Sequence, residues 1–439
     1  MARAQIKHKM SPPSRISKYF SALPTFYSLS AIVWLTATSN VMRSGWVGDD
    51  WPNSQTPYWI FWRYGDLSPL NVLSEAQYWN NQWMLGQGRF YFVHWLESRF
   101  AFSYLRSLWS YKIVETGCLF LAGMLFIILI YKLSKSHSLA ILTLFSLSLT
   151  LQFRRDFDPH IAFAFMVPSL MVKIFLGAIL AFHAATAKNN RRGYVFSCLS
   201  GFCLILAMAT YEYAFLMFPT IVISFIVGVF YSTTDSTSRD SFRRNLKNIA
   251  KSRISLRFLP ILFTWTIYAI FVFGYLRLKA TAISGVYVLG LSKTSISTFI
   301  TQLFPAWPLT VFKSYDFAPL ENREIVFLAI ASGFATLIFY LFLSRFVPSG
   351  ISRSINENDN FGYVQVLLLL LAIGLLAAPG FMLSIQREWW GRASFTKAYL
   401  GILIQEFGSA LIISMALSLK IKSMLKSTKV KKNPRSSRE

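Results

Sequence analysis

Apolar residues fill this chain in runs near 20 residues long, separated by shorter polar stretches. A helical run of that length crosses a hydrocarbon core of about 30 Å. The pattern predicts spans at about 22–42, 112–131, 138–153, 161–183, 194–210, 213–231, 258–277, 324–345, 363–384 and 398–418. We therefore expect an all-α fold, a polytopic membrane helix bundle of about ten transmembrane helices. A β-barrel would alternate polar and apolar residues in segments of about ten, and this chain does not. The first apolar stretch is long and no small-residue cleavage site follows it, so we expect a retained helix.

Composition agrees with the pattern. Of 439 residues, 54% are hydrophobic and only 14% charged, where a soluble domain would carry about a quarter charged residues. The three cysteines, Cys118, Cys198 and Cys203, all fall inside apolar runs. They make no disulfide framework and no metal spacing, and we read them as packing residues.

A net charge of +25 raises the question of nucleic acid. The placement of the charge answers it. With an even number of spans, both termini lie on one side. The segments on that side are 1–19, 132–137, 184–193, 232–257, 345–362 and 419–439. They carry 27 of the 44 Lys and Arg and five of the 19 acids, a net of about +22. The loops on the other side carry a net of about +4. This asymmetry is the positive-inside rule, and it puts both termini in the cytoplasm. We expect a multi-pass protein of the inner (cytoplasmic) membrane, with the lipid bilayer as partner and no nucleic acid. The organisation is a basic N-terminus (1–19), one transmembrane domain (20–418) and a basic, disordered cytoplasmic tail (419–439). Within the domain, 43–111 and 278–323 are the large extracytoplasmic loops.

The first of these loops is rich in Trp, Tyr and Phe. Its segment "GQGRFYFVHWLESRFAFSYLRSLWS" sets Arg89, Glu97, Arg99 and Arg106 at near-helical spacing among aromatics. We expect an amphipathic helix in the interface plane there. No internal repeat supports an inverted-repeat transporter.

The outer loops also collect the chain's chemistry. "GDDWPNS" places Asp49 and Asp50 just beyond the first span. Either carboxylate suits a general base acting on a hydroxyl, or an oxygen ligand for Mg2+ or Mn2+. The same residues also make a good turn. "QFRRDFDPH" offers Arg154 and Arg155, whose guanidiniums grip phosphate oxygens bidentately. Internal pairing with Asp156 and Asp158 is the structural alternative. We read His160 as a capping or packing residue. "TYEY" holds Glu212 in a very short link, where it contacts a sugar beside Tyr211 or pairs with an Arg or with Lys173. Lys173 falls mid-span and is functional or paired. In "REWWGR", the tryptophans read as interface anchors, and Arg387 and Arg392 as ligands for a lipid phosphate. No P-loop, GxGxxG, HExxH or CxxC pair occurs, and the inside loops leave no room for a nucleotide-using domain.

The acidic motif after the first span, the aromatic 85–110 stretch and "GQGRF" together resemble the GT-C glycosyltransferases. The resemblance covers about the first 215 residues. It implies a polyprenyl-phosphate-linked sugar as donor and a cell-envelope glycan or lipid-linked acceptor. It implies single-displacement, inverting transfer with Asp49 or Asp50 as catalytic base. Arg154, Arg155, Arg387 and Arg392 would bind the donor phosphate. Trp51, Arg89, Asp156, Asp158, Tyr211 and Glu212 would face the sugar and acceptor. The other readings are a polysaccharide (O-antigen) polymerase or ligase, and a transporter or flippase. No soluble C-terminal domain follows, unlike in oligosaccharyltransferases.

Overall fold

A computed structural model describes residues 15–153, 159–233, 255–276, 290–307, 361–386, 390 and 401–432. Among these the chain is helical and forms no sheet. The long helices are α1 (Arg15–Thr38), α6 (Leu108–Ser134), α8 (Met166–Thr186), α9 (Asn190–Met208), α10 (Tyr213–Thr233), α13 (Phe361–Ser384) and α14 (Ile402–Lys432). Helix α11 (Leu259–Ala269) runs on through a π turn (Ile270–Leu276). Seven stretches in these helices are long and apolar enough to cross a membrane: Leu108–Ser134, Met166–Thr186, Asn190–Met208, Tyr213–Ser232, Leu256–Leu276, Tyr363–Ser384 and Ile402–Leu419. Each matches one expected span. The expected first span, 22–42, overlaps the end of α1 and a 3-10 turn (Ser39–Arg43) that follows it. The expected 138–153 span is α7 (His137–Thr150), whose 14 residues reach only about 21 Å. The expected 324–345 span lies outside the described residues.

Two boundaries differ from expectation. Helix α8 starts at Met166 rather than 161, because Phe163, Ala164 and Phe165 all have positive φ (63°, 47° and 48°). Helix α14 continues to Lys432, where a disordered tail was expected from 419. Its extension is mostly Leu, Lys, Met and Ser, with single Ile, Thr and Val residues and no Gly or Pro before Pro434, a composition that propagates a helix.

Helix α8 is the middle of the bundle. It packs on α6, α9 and α10, and 72% of its apolar window is buried. Close approach between helices needs small residues. A Cβ at Gly123 on α6 would sit 2.3 Å from Trp34 Nε1 of α1. The Trp34 indole fills that gap and donates to Phe120 O at 3.2 Å. Gly408 on α14 likewise admits the backbone of α13, with Ala372 O 2.7 Å from where its Cβ would be.

The loop expected at 43–111 is itself helical: α2 (Asp50–Asn53), α3 (Thr56–Tyr64), α4 (Pro69–Gln87) and α5 (Phe92–Tyr104). Glycines in left-handed conformation end α3 (Gly65, φ 88°) and α4 (Gly88, φ 64°), where no Cβ has to be accommodated. These helices cover one end of the bundle, called here the loop end. Helix α5 reverses the expectation of an interfacial helix with charge turned outward. His94, Ser98, Arg99 and Ser103 on it are buried. The outward aromatic surface belongs to α3, where Tyr58, Trp59, Phe61 and Trp62 are exposed while Thr56 and Ile60 face in.

Candidate functional site

The loop end gathers acids and bases that the sequence scatters over more than 300 positions. Gly48 turns the chain with φ 55°, and its Cα side faces Ala162 closely enough that a Cβ would lie 3.4 Å from it. The turn closes with Asp50 N donating to Val47 O at 3.1 Å. Asp49 thereby stands exposed at the surface, and Asp50 is driven inward to 0% exposure.

Both Asp50 oxygens are engaged. Oδ2 accepts from the Tyr111 hydroxyl at 2.7 Å, and Oδ1 from Ala164 N at 2.6 Å. Tyr111 is held by rings: Phe102 stacks on it with centroids 4.8 Å apart, and Trp46 lies at 4.8 Å. Ala164 is the middle of the left-handed Phe163–Phe165 run. Such residues cost about 1–2 kcal/mol each in that conformation. Asp50 on one side and Lys112, whose Nζ donates to Ile161 O at 3.0 Å, hold the run in place. Burial pushes the Asp50 carboxyl up to about 6, against the lowering effect of the Tyr111 and Ala164 hydrogen bonds and of Lys112. Asp49 is also raised, by the protein it leans on.

The remaining buried charges mostly meet partners. Arg89 grips Glu212 bidentately, Nε to Oε1 at 3.1 Å and Nη2 to Oε2 at 2.9 Å. Lys173 pairs with Glu97 at 2.7 Å and also donates to Ser169 and Thr210. Lys112 pairs with Glu115 at 2.7 Å inside α6. His160 Nε2 lies 2.8 Å from Glu406 Oε2, and Gln152 N donates to Glu406 Oε1 at 3.2 Å. Thus the residues after α7 are pinned to α14. His94 is buried beside the cations Arg99 and Lys173. Burial first, then those charges, push its imidazole down to about 3, so it is neutral.

The structure sorts the expected site residues. Asp49, Asp50 and Trp51 share one turn of chain, with Trp51 64% exposed. Arg89 and Glu212 come together as a buried pair, one of the alternatives considered for Glu212. Tyr211 is buried against Tyr91, with centroids 5.4 Å apart. Lys173 is paired, and His160 packs in the interior. Arg154, Arg155, Asp156, Asp158, Arg387 and Arg392 lie outside the described residues. Among the described residues no three His, Cys, Asp or Glu side chains converge as a metal site. Asp50 has both oxygens committed already.

Sequence reasoning missed Glu97, Lys112, Glu115, Arg99 and Glu406 as members of this cluster. Glu115 and Glu406 carried a signal, being acids in or beside apolar spans. Compared with known proteins, the chain matches no family model, no curated relative and no solved structure.

Proposed function

We propose that this chain is a membrane glycosyltransferase whose working face is the loop end. It takes a sugar from a polyprenyl-phosphate donor and passes it to a cell-envelope glycan or lipid-linked acceptor. In this reading the loop end is extracytoplasmic, both termini are cytoplasmic, and the bundle has about ten spans.

One observation carries the reading. The acid pair beyond α1 is split into a clamped Asp50 and an exposed Asp49. Asp50 anchors the turn to α6 and to the start of α8. Asp49, next in the chain, is held at the surface with its pKa raised. A base near the operating pH works best as a proton acceptor. Asp49 takes the acceptor's hydroxyl proton as that oxygen attacks the anomeric carbon. The bond to the phosphate oxygen breaks, its electron pair leaves with the lipid phosphate, and the anomeric centre inverts. The exposed rings of Trp51 and α3 offer flat apolar faces beside Asp49 for sugar or lipid.

The test is comparative mass spectrometry of envelope glycans from wild-type cells, a deletion strain, and strains carrying Asp49→Asn. The expected result is full-length glycan lacking one decoration in the latter two, with Asp49→Asn protein still in the membrane. Full decoration retained in the Asp49→Asn strain would remove Asp49 from the chemistry. Loss of long chains in the deletion strain would indicate the polymerase reading instead. A transporter draws support from Lys112–Glu115, an ion pair within the spanning helix α6, and from Lys173 on the spanning helix α8, which pairs with Glu97 of α5. Counterflow uptake by reconstituted vesicles would favour it.

A further inference from the structure

Arg99 differs from the other buried cations of the loop end. It is 4% exposed, yet no carboxylate among the described residues forms an ion pair with it. Its Nη1 donates to Asn53 Oδ1 at 3.0 Å and to Thr56 Oγ1 at 2.6 Å. Both acceptors are neutral, and both bonds use the same nitrogen. Nε is buried without a partner, and Nη2 makes no hydrogen bond among the described residues. The free edge is therefore Nε–Nη2. Arg89, ten positions earlier, uses this same edge to grip Glu212.

The surroundings hold further buried polar atoms without partners. One helical turn before Arg99, Trp95 Nε1 is buried without a partner, and so are the Ser98 and Ser103 hydroxyls. Guanidinium and indole N–H groups can only donate. The Trp79 and Trp95 rings stack 5.6 Å apart, and the Arg99 guanidinium lies 4.8 Å from the Trp95 centroid. These rings keep water from the cation and strengthen its interactions. The nearby acid Glu75 is committed to Arg63 at 2.7 Å and to Trp79 Nε1 at 2.8 Å. Unpaired buried donors carry a cost, and an oxyanion removes it for several of them together.

We propose that Arg99 and Trp95 form a binding site for a phosphate group. Phosphate oxygens fit the Nε–Nη2 fork as a carboxylate does. Their tetrahedral arrangement also accepts from a further donor, and Trp95 Nε1 on the preceding turn is the unpartnered one beside the guanidinium. Nη1, held by Asn53 and Thr56, orients the fork and ties it to the chain just after Asp49 and Asp50. The phosphate comes from a lipid headgroup or from free phosphate. Where it belongs to a glycosyl donor, the assignment rests on the proposed function. As a phosphate site it does not, and binding is read with no acceptor present. Envelope glycans unchanged in the deletion strain, with phosphate binding intact, would overturn the function and leave the site.

The experiment uses the full chain in phosphatidylcholine nanodiscs. One arm titrates inorganic phosphate and reads the thermal unfolding midpoint. The other adds a polyprenyl monophosphate to the bilayer and reads its retention by native mass spectrometry. The variants are Arg99→Lys, which keeps the charge without the fork, and Trp95→Phe, which keeps the ring without the N–H. Arg106→Lys is the control, since Arg106 is exposed. We expect wild type and the control to bind in at least one arm. Arg99→Lys and Trp95→Phe should each weaken binding about tenfold. Response in the lipid arm alone identifies a headgroup; response to inorganic phosphate identifies the free ion. Should wild type bind in neither arm, or Trp95→Phe bind as tightly as wild type, the site does not exist. Trp95→Phe keeps an aromatic ring against Trp79 and leaves Arg99 in place, so it tests the site even if Arg99→Lys fails to fold.

Discussion

Arg89 and Arg99 sit ten residues apart in the same loop, both buried, and they live opposite lives. Arg89 has its fork filled by Glu212, across the start of α10. Arg99 has only neutral partners on one nitrogen. The first arrangement is complete within the chain and acts as a staple between the loop and the bundle. The second is incomplete within the described residues. A buried ion pair is weak evidence for net stability, but losing one partner strands the other. The lesson is that burial alone does not separate structural from functional charge; saturation does.

The largest effect should come from opening the staple. Arg89→Met leaves Glu212 buried without its guanidinium, and unfolding in detergent should show a loss of about 3–5 kcal/mol. Adding Glu212→Leu should recover most of it. If the double variant is no better than the single, the pair is not coupled and the comparison breaks.

Next comes Asp50, through pH. Burial pushes its carboxyl up to about 6 in the folded chain, from the ordinary 3.8 of an aspartate. Between those values the folded chain holds a proton that the unfolded chain has lost. Stability from this group is therefore present at low pH and falls as pH rises from about 4 to 6, by about 3 kcal/mol. Asp50→Asn should remove that slope. His94 has the opposite sign. Its folded value of about 3 lies below 6.5, so its contribution is lost as pH falls below 6.5. His94→Asn should flatten that second limb in unfolding curves measured across the same range. If neither variant changes the pH profile, both groups are more hydrated than their burial implies.

A smaller effect is expected at Arg99. Arg99→Met strands no counter-charge and removes two hydrogen bonds to neutral groups, a cost of about 1–2 kcal/mol. A loss matching that of Arg89→Met would mean an internal anion satisfies Arg99 after all. The smallest stability change belongs to Asp49→Asn, within about 0.5 kcal/mol, as for exposed substitutions generally. A larger loss would assign Asp49 a structural duty like that of Asp50.

Some of this was legible beforehand. The long spans show as apolar runs, because lipid-facing and buried helix positions are apolar alike. Lys173 stood out as a charge in mid-span. Glu212 was readable as a residue in need of a partner, but not which one. Helix α5 was misjudged. Its mixture of rings and charges reads as a surface helix, and α4 and α3 cover it instead. The stretch from Leu419 to Lys432 is helical and not a disordered tail, because helix-forming residues outweigh its charge.

The chain by itself determined that the protein is a helical membrane bundle, and that acids and arginines cluster in particular loops. Both follow from local quantities: hydropathy over about 20 residues and charge along the sequence. Only the tertiary structure decided that Asp50 turns in and Asp49 out, that Glu212 belongs to Arg89, and that Arg99 is left with an open fork. Those outcomes depend on which side chains meet across 61, 123 and 46 positions of sequence. Packing sets that, and no periodicity along the chain encodes it.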